Sequence, residues 1–222
     1  MTHPRHTQSM ADCSRLFRDP NEIILREELI FTPHVAPLNN WVLDLRKRLG
    51  PEAIVPWFDP WDGGIGAKIL WLLEAPGPKA TKERGGSGFV SCNNNDGTAE
   101  NTWETRNEAG VKRDLVVHWN VIPYYLGNDQ QILPPDPTDI EAVGPLIAEL
   151  LDLLPNLQVV ILGGNAAKRV WRRHGPKTTG LHVIESRHTS PRSLNTRPAY
   201  RDKIVEAWTQ ALQHVNQSDR DQ

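Results

Sequence analysis

Four short apolar runs recur along the chain, each bounded by turn residues: "AKILWLL" (67–73), "LVVHWNV" (115–121), "LQVVILG" (157–163) and "LHVIES" (181–186). Runs of this length with no polar alternation read as strands buried on both faces. Three stretches carry the helical period instead. "PLNNWVLDLRKRLG" (37–50) puts Trp41, Leu45 and Leu49 on one face. "PTDIEAVGPLIAELLDLLP" (137–155) opens with Pro-Thr-Asp and closes at Pro155, and "RPAYRDKIVEAWTQALQHV" (197–215) spaces Ile204, Trp208 and Leu212 four apart. Strands separated by helices imply a parallel sheet covered on both sides. The expected fold is therefore α/β: a three-layer α/β/α sandwich around a short, mainly parallel four-stranded sheet.

The polar start, residues 1–20, reads as a disordered extension, 21–215 as one domain, and 216–222 as a polar tail. The segment "PWFDPWDGG" (56–64) reads as a turn-rich lead-in to the first strand, and Trp41, Trp57 and Trp61 as cover for the sheet. The Gly-, Ser- and Asn-rich stretch 85–101 reads as a long loop, of the length that usually serves function. No internal repeat is present.

With 222 residues, 38% of them hydrophobic, the chain can bury one sizeable core. No run approaches the 18 apolar residues of a membrane span, and the start lacks the apolar heart of a signal peptide, so a cytoplasmic location is expected. Two cysteines, Cys13 and Cys92, are too few for a disulfide framework or a four-cysteine iron–sulfur or zinc site. The eight histidines show no metal-binding spacing. No cofactor is expected, and no surplus amphipathic stripe argues against a monomer.

The formal charge of −2 conceals an asymmetry. Residues 165–201 hold nine Lys/Arg, among them Lys168, Arg192 and Arg197, against the single acid Glu185; that segment is near +8 and the remainder near −10. One end of the molecule is a candidate phosphate-binding face, or simply a solvated one.

Parallel sheets of this kind bind ligands outside the carboxyl ends of their strands. There the first run ends in Glu74-Ala75-Pro76-Gly77, the second at Asn120, the third at Gly163-Gly164 opening a helix, and the fourth just before His188. Each has an ordinary structural alternative: Asn120 as a turn cap, His188 as a packed ring, Glu74 as an ion-pair partner.

Taken in order, "LLEAPGP", Phe89 in a Gly-rich loop, "HWNVIPYYLG", "VVILGGNAAKRVW" and "HTSPRSLN" resemble the uracil-DNA glycosylase superfamily over roughly residues 65–212. The likeness is to members whose first motif reads Gly-Glu-Ala-Pro-Gly and whose last reads His-Pro-Ser-Pro or similar. It implies a monofunctional glycosylase that flips a nucleotide out of single- or double-stranded DNA and hydrolyses the N-glycosidic bond in base-excision repair. It also implies roles. Asn120 would pair with the edge of uracil, donating to O4 and accepting from N3–H. Phe89 would stack on the base, a better use of a ring in a Gly/Ser/Asn loop than the core; Ala75 and Gly77 would line the base site. His188 would donate to O2 and stabilise the departing anion. Ser190, Ser193 and the main-chain amides of Gly77 and Gly164 would bind phosphate, with Lys168 and Arg197 on the basic face, and Arg192 would enter the stack.

The chain departs from that pattern at several places. Ala75 stands where the most active branch has a water-activating aspartate, so Glu74 either takes that role or meets the base only through its main chain. Leu73 replaces a usual glycine, Ala80-Thr81 a usual Glu-Asp pair and Thr189 a usual proline, and the iron–sulfur cysteines are missing. Gly77 replaces the tyrosine that blocks 5-substituents, which implies a roomier pocket and admits other deaminated bases. Two other readings stay open. One is a catalytically weak or inactive nucleic-acid-binding relative; the other is a small-nucleotide hydrolase or transferase that holds phosphate at Gly163-Gly164.

Overall fold

The structure is a computed structural model that describes residues 12–127, 131, 133–177, 180–197 and 199–220. In chain order the helices and strands are α1 (Pro20–Glu27), α2 (Ala36–Leu49), β1 (Trp57–Phe58), β2 (Ile69–Leu73), β3 (Phe89–Val90), α3 (Gly97–Glu108), β4 (Val116–Asn120), α4 (Pro137–Ala142), α5 (Gly144–Asp152), β5 (Val159–Gly163), α6 (Asn165–His174), β6 (His182–Ser186), α7 (Pro191–Thr196) and α8 (Ala199–Ser218). The four apolar runs are β2, β4, β5 and β6. They form one all-parallel sheet in the order β4-β2-β5-β6, with Leu73 opposite Asn120 and Gly163 opposite Ser186.

Alternation along the strands divides the core in two. Leu70, Leu72, Val117, Trp119, Val160 and Leu162 pack with α2, α5 and α6. Ile69, Trp71, Val116, Val159, Ile161 and Ile184 pack under Ile204, Ala207, Trp208, Ala211 and Val215 of α8. The three-layer sandwich expected from the sequence is thus the observed one. β6 differs in detail: as an edge strand it is exposed at His182, Val183 and Glu185. The helical stretch 137–155 is two helices. Asp136 and Asp139 cap the first reciprocally, and the second restarts at Gly144-Pro145, because a proline deeper in one helix would lack its amide and strike the preceding turn.

Two expectations fail together. Residues 12–20 are not a disordered extension. The Phe17 amide donates to Asn93 O at 3.1 Å, and Asp12 pairs with Arg106 at 2.9 Å and Arg113 at 2.7 Å. Phe89, expected in a loop, pairs in strand β3 with Trp57 of β1 and is fully buried, its ring 5.9 Å from that of Phe17. The partner that makes Phe89 a core residue thus lies in the segment whose polarity suggested disorder. Residues 1–11 of that extension, and 221–222 of the expected tail, lie outside the described residues. The tail's start is ordered, since α8 runs to Ser218 and Asp219 accepts from Lys68 Nζ at 2.5 Å. Among the described residues no helix is long and apolar enough to cross a membrane.

Candidate active site

A cleft of about 740 Å³ opens at the carboxyl ends of β2 and β4, on the α3 side of the sheet. Its walls are the 74–80 segment after β2, residues 90–94, the first turns of α3, and the 188–192 segment before and into α7. Seven of the expected site residues meet there: Glu74, Ala75, Gly77, Asn120, His188, Ser190 and Arg192.

Asn120 ends β4 with 5% of its surface exposed, and its amide makes no hydrogen bond among the described residues. An amide left without a protein partner at the cleft is free to pair with an arriving ligand. Glu74 follows β2 directly. Its carbonyl accepts from the Ile122 amide at 2.9 Å, fixing the backbone, while its half-buried carboxylate forms no ion pair among the described residues. Burial pushes that carboxyl above its ordinary value, and the Arg169 guanidinium opposes the shift without cancelling it.

The His188 ring is held by the Ser190 amide, which donates to Nδ1 at 3.0 Å. Nδ1 must then be the bare nitrogen, and Nε2 carries the proton of the neutral ring. Burial pushes its pKa below the ordinary 6.5, favouring that neutral form. Thr189, in place of proline, hydrogen-bonds the Thr102 hydroxyl through its own at 2.8 Å, while its main-chain carbonyl accepts from Asn101 Nδ2 at 2.8 Å, both partners on α3. The substitution ties the last motif to the opposite wall. Ser190 caps α7, its Oγ accepting from the Ser193 amide at 3.3 Å.

The two glycines at the end of β5 serve packing. A Cβ on Gly163 would lie 2.6 Å from Leu73 Cδ2, and one on Gly164 would lie 3.0 Å from the His188 ring. Gly163 thereby makes room for Leu73, the residue standing where glycine was expected. Gly164, at φ 97°, donates its amide to Ser186 O at 3.3 Å, so that amide is engaged within the sheet rather than offered to phosphate. Around Gly77 a side chain would meet only open space, in keeping with a roomy pocket.

Several expected residues lie outside the cleft. Phe89 is buried behind it, and Val90 and Cys92 line the wall instead. Lys168 pairs with Glu185 at 3.4 Å; Ser193 and Arg197 are on the flank of α7. Of the basic segment, Arg172 also pairs with Glu185 at 2.8 Å, Arg173 with Glu141, and Arg201 with Glu104 at 3.1 Å. Arg169, Lys177, Arg187, Arg192 and Arg197 make no ion pair among the described residues, and of these five only Arg192 lines the cleft, a smaller basic face there than the charge count implied.

The cleft also contains residues that the sequence reading passed over: Trp71, Ser91, Cys92, Asp96, Thr98, Thr102 and His118. The Cys92 thiol is pushed up to about 11 by burial, so it contributes wall and not a nucleophile. His118 was detectable, since it lies two residues before Asn120 and a strand alternates faces. Its partner Asp62, 56 positions away, was not.

The family model described as Uracil DNA glycosylase superfamily matches residues 60–211. Among solved structures, the chain is similar to a solution NMR structure from Methanosarcina acetivorans described as a candidate uracil DNA glycosylase, with 14% identity and a TM-score of 0.42 over 65% of this chain and 91% of that one. Comparison with curated proteins returns no match.

Proposed function

Because the chain belongs to the uracil DNA glycosylase superfamily, we propose that it releases uracil, and other deaminated bases that its roomy pocket admits, from DNA by hydrolysis of the N-glycosidic bond. The observation that carries this reading is the pair of groups at the strand ends: the nearly buried Asn120 amide, without a partner among the described residues, and a neutral His188 whose Nε2 bears the proton.

As the glycosidic bond lengthens, negative charge gathers on the base and positive charge on the sugar. Asn120 pairs with the base edge and holds the flipped nucleotide in place. His188 Nε2–H donates to the base O2, and that bond strengthens as charge develops there, which favours the transition state over the ground state. Water attacks C1′ at the mouth, where Glu74 is the carboxylate available to orient it and take its proton, in place of the acid missing at Ala75. The raised carboxyl pKa brings Glu74 nearer to the range useful for a base. Val90 and Cys92, not Phe89, supply apolar wall. Arg192, exposed at the rim, is placed to meet phosphate or the gap left in the stack.

One observation favours a second reading. The water-orienting carboxylate is reduced to a half-buried Glu74 with Ala75 beside it, as a binding relative without chemistry would show. The nucleotide-phosphate reading would have to use the first amides of α6, since the Gly164 amide donates to Ser186 O.

Incubation of the purified protein with end-labelled single- and double-stranded oligonucleotides bearing one uracil, followed by alkali, tests the proposal. Cleavage is expected and should be lost in His188→Ala and Asn120→Ala; Glu74→Gln should lower the single-turnover rate by roughly a hundredfold if its carboxylate acts as the base. Intact uracil, hypoxanthine and xanthine oligonucleotides at stoichiometric enzyme, with DNA still bound, would overturn the glycosylase reading in favour of the binding one.

A further inference from the structure

Two residues that line the cleft each bury a polar atom with no partner among the described residues: Nε1 of Trp71 and Nε2 of His118. Trp71 and His118 lie opposite each other on the neighbouring strands β2 and β4. Both are two residues further from the strand ends than Leu73 and Asn120, about 6.6 Å deeper into the site.

The His118 proton is placed by its surroundings. Nδ1 lies 2.8 Å from Asp62 Oδ2, an oxygen that also accepts the His118 amide at 3.2 Å, while Oδ1 of the same carboxylate accepts from Arg113 Nε at 3.0 Å. Paired with a guanidinium, Asp62 can only accept. Nδ1 therefore carries the hydrogen, and in the neutral tautomer this geometry selects, Nε2 is a bare lone pair. Arg113 is in turn fixed by Asp59 at 2.6 Å and Asp12 at 2.7 Å, and the ring packs edge-on to Trp208, 6.5 Å between centroids. Imidazole orientation and tautomer are both locked. His188 is the opposite case, with its proton on Nε2.

Asn120 by itself cannot tell uracil from cytosine. A half-turn of its amide exchanges donor and acceptor, and no neighbour among the described residues fixes which way it points. A locked imidazole cannot make that exchange. Its depth places it against the half of a flipped base remote from the sugar, where N3 of a pyrimidine or N1 of a purine lies.

We propose that His118, locked by Asp62, is the residue that decides which bases the cleft accepts: its Nε2, in place of the Asn120 amide oxygen, accepts the ring N–H of a lactam base, as in uracil and hypoxanthine, and rejects cytosine and adenine. In those two the same ring nitrogen is itself a lone pair, and two acceptors face each other across a desolvated contact. Trp71 Nε1–H, the donor beside it, suits the adjacent carbonyl oxygen. The open space at Gly77 lets a purine enter as well as a pyrimidine. This inference rests on the glycosylase reading for its substrate but not for its tautomer.

Three measurements test it. Nitrogen-15 NMR of the wild-type ring is expected to show a protonated Nδ1 and an unprotonated Nε2; a protonated Nε2 overturns the proposal, and no variant has to fold for that result. Single-turnover excision of uracil, hypoxanthine, cytosine and adenine is then compared for wild type, His118→Phe and the milder His118→Gln. Wild type should cut the first two only. Each variant should lose uracil excision by roughly tenfold to a hundredfold, with the uracil-to-cytosine ratio falling by at least about tenfold. An equal loss on every base, with the ratio unchanged, would make His118 a structural or catalytic group and sink the selectivity claim. If wild type cuts no base at all, the glycosylase reading fails by itself. Quenching of the cleft tryptophans by free uracil and free cytosine then decides: tighter uracil binding that His118→Phe abolishes sustains the inference, and equal binding refutes it.

Discussion

His188 shows how one side chain can be set for its task by two neighbours. The Ser190 amide chooses the tautomer, and burial against Gly164 holds the ring neutral. The same burial makes a stability prediction. An unfolded chain protonates this ring near the ordinary 6.5, whereas the folded one does so only at lower pH. Between those values the unfolded state binds more protons, so stability falls as pH drops through 6.5 and levels off below the folded value. Thermal melts across that window should show wild type losing stability relative to His188→Gln, which has nothing to titrate. Protonation would also set an Nδ1–H against the Ser190 amide. The acid limb of excision due to His188 should therefore lie below 6.5. A limb at or above the ordinary value would show that the ring is not buried as described.

At the scale of elements, the turn from β5 into α6 carries more of the site than its two glycines suggest. Gly164 combines φ 97° with ψ 175°, a region essentially closed to other residues, and its missing Cβ is the space that His188 occupies. Gly164→Ala is expected to cost about 1–3 kcal/mol in chemical unfolding and to depress excision by displacing the imidazole. Unchanged stability and rate would rule out the packing role. Thr189 acts similarly from the other side, linking the strand-end loop to α3 through Thr102 and Asn101. The cleft is held by contacts between its walls, which is what a pre-positioned site requires.

For the whole molecule, the basic segment divides between internal ion pairs and a free rim. Lys168 and Arg172 converge on Glu185, and Arg201 reaches Glu104 and Glu108, while Arg192 stands exposed at the cleft. Arg192→Ala should weaken DNA binding evenly across sequences and lower the slope of log affinity against log salt by about 1, without moving the melting temperature. Lys168→Ala should change the slope far less, because its charge is already committed. Equal effects of the two would mean that charge alone, not placement, governs binding. The buried network of Asp12, Asp59 and Asp62 with Arg26, Arg106 and Arg113 ties the first described residues to the floor of the cleft. The segment 12–19 thus supports the site from a distance.

Much of this was determined by the sequence alone. Period-2 and period-3.6 patterns place the four parallel strands and their helices, because a buried strand or helix face must be apolar wherever it packs. Once strands are placed, their ends follow, and so the pattern alone brings Glu74, Asn120 and His188 to one rim. Tertiary structure decided what depends on partners far apart in the chain. Phe89 became core because Phe17 lies against it, Gly164 became a packing residue because His188 occupies its space, and His118 received its tautomer from Asp62. Local pattern encodes which side of an element is buried; it does not encode which side chain arrives on the other side, and hydrogen-bond direction, ion pairing and side-chain room are set only by that arrival.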